Sequence, residues 1–176
     1  MSLPLSGVGG LGSATAVTQT LRPAMDVDDG GWTGSSGSDL SALTSDQLDA
    51  TYATTSDLAS GDPMIVVLQS GTNNGNTPSS VTINARGRTG SAPATEAEPY
   101  IEVHLYNGAA LIASASAFVF VDGTTLANFS YSLSGAEITA LVGVASWTDL
   151  RFRAAATFLD PSNSIRVMEY WLQVNA

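Results

Sequence analysis

The sequence has no cysteine, no lysine and a single histidine, His104. Without cysteine, disulfide frameworks, thiolate nucleophiles and zinc–thiolate sites are excluded. One histidine rules out paired-histidine metal centres and leaves one imidazole as a candidate base. Without lysine, neither Schiff-base chemistry nor a Walker-type phosphate lysine is possible. Six arginines face 16 acidic residues, for a net charge of −10. Long-range electrostatics therefore oppose nucleic acid and anionic membranes, and neither is an expected partner. No segment approaches the ~18 apolar residues of a spanning helix. The longest apolar runs, Ala117–Val121 among them, are five residues and suit strands. The first charged side chain is Arg22, so a basic leader region is missing and the chain is expected to act without a cleaved signal.

What is present divides unevenly. At 176 residues the chain fits one domain plus an arm. Residues 1–62 carry seven of the ten net negative charges and are rich in Gly, Ser, Thr and Asp. Such a segment cannot bury enough apolar surface to fold alone, so it must lie on the rest of the protein or on a partner. Residues 1–20 read as an extended N-terminal arm, with Leu3, Leu5, Val8, Leu11 and Val17 spaced among glycines. Residues 21–176 read as the folded domain.

The second half is written in strands. Met64–Leu68 is a short buried strand between Gly61-Asp62-Pro63 and Gly71 to Asn76. Alternation marks Ser80–Arg86, Tyr100–Tyr106 and Leu150–Phe158, the last with Arg151 and Arg153 outward. Ala110–Ala115, Ala117–Val121 and Asn128–Leu133 are further candidates, and Asn107-Gly108 predicts a type I′ hairpin turn. In Ile165–Val174 the apolar phase changes: Ile165 and Val167 share a face, then Met168, Tyr170, Leu172 and Val174 do. A bulge near Val167–Met168 reconciles the two halves and sends Trp171 outward as a contact residue. Ser134-Gly135-Ala136-Glu137 is a capping box that predicts one short crossover helix ending at Gly143. Seven to nine short strands with one small helix predict an all-β, antiparallel, jelly-roll-like β-sandwich.

Each suggestion of chemistry has a plainer competitor. Asp26-Val27-Asp28-Asp29-Gly30 has the alternating carboxylates of a calcium loop but lacks the distal bidentate glutamate, so a solvated acidic turn is expected. His104 shares a strand face with Glu102, but no serine lies in a G-x-S-x-G context, so a surface histidine is expected. Glu96 and Glu98 sit in a proline-containing loop. Arg151 and Arg153 could bind an acid or phosphate, although such rows more often pair with carboxylates across strands. The glycines of Gly7 to Gly12 follow no strand and open no helix, which removes a dinucleotide reading. No catalytic residue, metal ligand or cofactor is assigned.

Several stretches carry a resemblance. They are Trp32-Thr33-Gly34-Ser35-Ser36-Gly37, Asp49-Ala50-Thr51-Tyr52, Gly61-Asp62-Pro63, Ser134 to Ile138, Ser146-Trp147-Thr148-Asp149-Leu150-Arg151-Phe152-Arg153 and Ile165-Arg166-Val167. In this order they resemble a family of small β-sandwich structural proteins of tailed-bacteriophage virions. Gly34 stands where that pattern has proline. The resemblance spans roughly residues 22–176 and implies a noncatalytic virion component: a head decoration (cement) protein, a head fibre or a tail accessory. The expected partner is the major capsid protein or another virion subunit, and the expected location is the capsid surface after synthesis in the bacterial cytoplasm. A cyclic homo-oligomer, most simply a trimer, matches local capsid symmetry. The expected contact residues are Leu3, Leu5, Val8, Leu11, Val17 and Trp171. The alternative is a carbohydrate- or receptor-binding module of a fibre or tail, with Trp32, Trp147, Trp171, Tyr100, Tyr106 and Tyr170 as possible stacking platforms.

Overall fold

The computed structural model describes residues 16–55, 63–90, 99–115, 117–120, 125–157 and 164–176. They form two antiparallel sheets packed face to face, the predicted β-sandwich. The elements in chain order are β1 (Gln19–Leu21), β2 (Pro23–Asp28), β3 (Thr33–Gly34), α1 (Leu40–Leu43), β4 (Ala53–Thr55), β5 (Met64–Leu68) and β6 (Ser80–Thr89). There follow β7 (Tyr100–Asn107), β8 (Ala110–Ser114), β9 (Phe118–Val119), β10 (Ala127–Ser132), α2 (Gly135–Gly143), β11 (Leu150–Thr157) and β12 (Ile165–Asn175).

The first sheet runs β10-β6-β12-β4-β3, with β1 also on β12; the second runs β2-β5-β11-β7-β8, with β9 also on β7. From β5 onward the chain changes sheet at each connection except β7–β8 and β8–β9, a jelly-roll-like winding, and α2 is the expected crossover from β10 to β11. Alternation explains the layering. Val81, Ile83 and Ala85 of β6 and Tyr170, Leu172 and Val174 of β12 face Ile101, Val103 and Leu105 of β7 and Leu150, Phe152 and Ala154 of β11 across one core.

Two expectations change in detail. Twelve strands, rather than seven to nine, occur among the described residues, and a second helix, α1, joins α2. The additions come from the acidic segment. There Trp32, Leu40, Leu43 and Ala53 enter the core, Ser41 and Thr44 are buried beside them, and most of the other intervening polar residues stay outside. The expected solvated acidic turn is in part strand: Asp26 and Asp28 belong to β2, and the Asp26 carboxylate accepts from the backbone N–H groups of Leu40 (2.8 Å) and Ser41 (2.6 Å), at the start of α1. The hairpin turn is also displaced. Asn107 pairs with Ala110, so Gly108 and Ala109 form the turn. Gly108 has φ +57° and Ala109 has no positive φ, which is the type II′ rather than the I′ pattern.

The bulge is where the phase change placed it. Val167 pairs with Gly87 and Glu169 with Arg86, which leaves Met168 as the extra residue. The opposite edge of β12 is shared: β4 pairs at Ile165–Val167 and β1 at Gln19–Leu21 against Leu172–Val174. Between them the Tyr170 N–H donates to the Thr44 carbonyl at 3.1 Å. Of the expected arm, residues 1–15 lie outside the described residues, whereas Gln19 and Thr20 belong to β1.

Candidate functional site

With the inner faces buried against each other, recognition is left to the outer faces, and the two differ. On the first sheet Trp171 points outward, as predicted. The Arg22 guanidinium lies 5.7 Å from the Trp171 ring centroid and its Nη1 is 3.3 Å from the Glu169 carboxylate. Arg86 pairs with Asp49 at 2.8 Å, and Arg166 stacks 4.9 Å from the Tyr52 ring. This face also carries Arg88 and the hydroxyl and amide side chains of Thr82, Asn84, Ser130, Ser132 and Gln173. Val17 is exposed beside β1, while Leu3, Leu5, Val8 and Leu11 lie outside the described residues.

The second sheet carries a hollow on its outer face. Pairing register sets Met25, Val67, Arg151, Tyr106 and Leu111 in one row across β2, β5, β11, β7 and β8. The next row holds Ile65, Arg153, His104 and Ser114. Ile65, Tyr106, Gly108, Ala109, Arg151 and Arg153 line a hollow of about 220 Å³. The floor is the middle of the sheet; the tight turn at Gly108–Ala109 supplies one wall.

The cations in this hollow are held differently. Arg151 forms a fork with Asp149, Nε to Oδ1 at 2.8 Å and Nη2 to Oδ2 at 3.1 Å. This carboxylate lies two residues earlier on the same chain, so the cross-strand pairing expected for Arg151 is not the one found. Arg153 is exposed and has no carboxylate or ring partner among the described residues. The other carboxylates that the register brings near are engaged. Asp28 accepts from the Gly30 N–H at 3.0 Å, and Glu102 lies 3.9 Å from the His104 Nε2. His104 Nδ1 shares a 3.0 Å hydrogen bond with the Ser114 hydroxyl.

Of the six aromatic candidates, Trp32, Trp147 and Tyr170 are buried. Trp147 donates its indole N–H to the Leu141 carbonyl at 2.9 Å. Trp171, Tyr100 and Tyr106 are half-exposed on outer faces. Ile65 is the lining residue that sequence reading missed. It sits in a strand that looked buried throughout, and only the alternation of Met64 and Val66 inward hints that Ile65 faces out. Glu96 and Glu98 lie outside the described residues, and no cluster of three potential metal ligands occurs among those described.

No protein-family model and no curated protein matches the chain. Solved structures similar to it at low identity include the following three. The CBM22-1 xylan-binding domain of Xyn10C from Paenibacillus barcinonensis is 12% identical over 93% of this chain and 99% of its own, with a TM-score of 0.42. The xylan-binding module CBM15 is 12% identical over 91% and 100%, with a TM-score of 0.48. The Stig cyclase Fisc from Fischerella sp. TAU is 10% identical over 94% and 92%, with a TM-score of 0.41. These are likenesses of general architecture.

Proposed function

We propose that the protein is a noncatalytic structural component of a bacteriophage virion, a decoration subunit that fastens to the major capsid protein as a homo-oligomer. The observation that carries this reading is the way the leading segment is anchored. β1 adds to β12, the Gln19 side chain exchanges hydrogen bonds with the Thr72 carbonyl and N–H (both 2.9 Å), and the Ala176 N–H donates to the Thr18 hydroxyl at 2.9 Å. Tension on the apolar residues that precede Thr18 therefore passes into the central strand of a sheet. Binding free energy is then the mechanism: area buried against several capsid subunits opposes their separation.

The test is a full-length Leu3→Ser/Leu5→Ser/Leu11→Ser variant in pelleting assays with purified heads that lack the protein. Each leucine buried in a contact contributes about 1.5–3 kcal/mol, so affinity should drop by more than about a hundredfold while thermal melting is unchanged. Undiminished pelleting would remove the reading. Sedimentation of the free protein checks the oligomer.

A second reading, a glycan-binding module of a fibre or tail, is favoured by the hollow on the second sheet. Tyr106 offers a half-exposed ring there beside two guanidinium groups. A glycan array run with the intact protein tests it.

A further inference from the structure

We infer that the hollow over β5, β11 and β7 is a subsite for a single carboxylated sugar ring, a hexuronate-type residue, with Arg153 as the group that selects the carboxylate. The inference deepens the glycan reading and rests on it.

Size comes first. About 220 Å³ is below the ~300–1,000 Å³ of pockets for drug-sized ligands, and suits one ring rather than a chain. The lining comes second. A pyranose presents an apolar C–H face and a rim of hydroxyls. Tyr106 and Ile65 supply apolar and aromatic surface, and the locked Arg151–Asp149 pair offers fixed donors and acceptors for neighbouring hydroxyls.

Charge decides the class. The protein carries −10 overall, yet the exposed Arg153 guanidinium at this hollow has no carboxylate within ion-pair distance among the described residues. Asp149, Glu102 and Asp28 are engaged with Arg151, His104 and the Gly30 N–H. An arginine fork left open in an apolar-walled hollow is complementary to a carboxylate.

Topology argues against an extended peptide as occupant. The hollow lies over paired strands: Ile65 pairs with Arg153, and Arg153 with His104. Backbone groups there already serve the sheet, so a peptide backbone would find no ladder to join. A sugar needs none.

The experiment is an NMR titration of the ¹⁵N-labelled full-length protein with methyl β-D-glucuronide, methyl β-D-glucoside and acetate. Support is a glucuronide affinity at least about tenfold above the glucoside's, shifts centred on the Ile65, Gly108 and Ala109 amides, and loss of the difference in Arg153→Gln. Equal binding of the two glycosides overturns the carboxylate preference and leaves the glycan reading standing. Acetate binding as tightly as glucuronide at these amides overturns the sugar ring. Silence of these amides toward both glycosides overturns the inference and the glycan reading of this face together. Arg153 is exposed, so Arg153→Gln is expected to fold; an unchanged spectrum outside the hollow checks this.

Discussion

Asp149 holds Arg151 by side chain and the β7–β8 turn by backbone. Its carboxylate forks the guanidinium at 2.8 and 3.1 Å, and its carbonyl accepts from the Gly108 N–H at 2.9 Å. One residue thus fixes both a wall of the hollow and the cation beside it. Asp149→Asn keeps the backbone contact and weakens the fork. Both partners are part-exposed, so the expected loss is below about 1 kcal/mol in urea unfolding. A larger loss would show that the carboxylate supports the turn itself.

Tyr170 is fully buried between the sheets, and its hydroxyl has no partner among the described residues. Its ring packs 6.2 Å from that of Phe152. Removing an unsatisfied buried hydroxyl is favourable, so Tyr170→Phe should stabilise the protein by about 1 kcal/mol, read as a higher urea midpoint with unchanged slope. Burial also pushes the phenol far above its ordinary value of 10.0. A raised folded value contributes stability below the unfolded one and loses it as pH climbs past about 10. The wild type should therefore lose stability in alkali more steeply than the phenylalanine variant.

Gly87 lies where β6 meets the bulged strand. A Cβ there would sit 2.6 Å from the Arg166 carbonyl oxygen and 2.8 Å from Phe120 Cε1. Gly87→Ala should cost about 2–3 kcal/mol, because one obstacle is backbone and cannot rotate away. Gly135→Ala meets nothing within 4 Å and is the control. Equal melting of the two variants would contradict the packing described here.

Acid should loosen the start of both helices. At Glu137, burial raises the carboxyl, but hydrogen bonds from the Ser134 backbone N–H, the Ser134 hydroxyl and the Tyr131 hydroxyl outweigh it and leave the group below its ordinary 4.5. Hydrogen bonds from the Ala42 N–H and the Ser41 hydroxyl likewise hold Asp39 below 3.8. A depressed folded value gives stability that is complete above the unfolded value and fades as pH falls through the folded one. Unfolding midpoints should therefore decline below about pH 4.5, and Glu137→Gln should flatten the upper part of that decline. A variant that tracks the wild type throughout would assign the acid sensitivity elsewhere.

Sequence legibility followed burial. Met64–Leu68 and the Ser134 capping box were readable because strong local signals agree with the tertiary environment. The Val167–Glu169 bulge was readable from phase alone, and with it the outward turn of Trp171. β1, β2, β3, β4 and α1 were not: all but β2 are four residues or fewer, β2 buries only Pro23, and periodicity has little to repeat. The hollow was half visible. Alternation sends Arg151, Arg153 and Tyr106 outward, but their meeting with Ile65 depends on the register of three strands distant in sequence.

The placement of β12 has a consequence for biosynthesis. This strand is the common neighbour of β6, β4 and β1, and it is the last of the described strands to leave the ribosome. Until it emerges, those three remain in a nascent chain with unpaired backbone edges. The first sheet therefore cannot close before β12 has been made. The interval between synthesis of β6 and β12 is when self-association competes, which makes slower, cooler expression the condition that raises soluble yield.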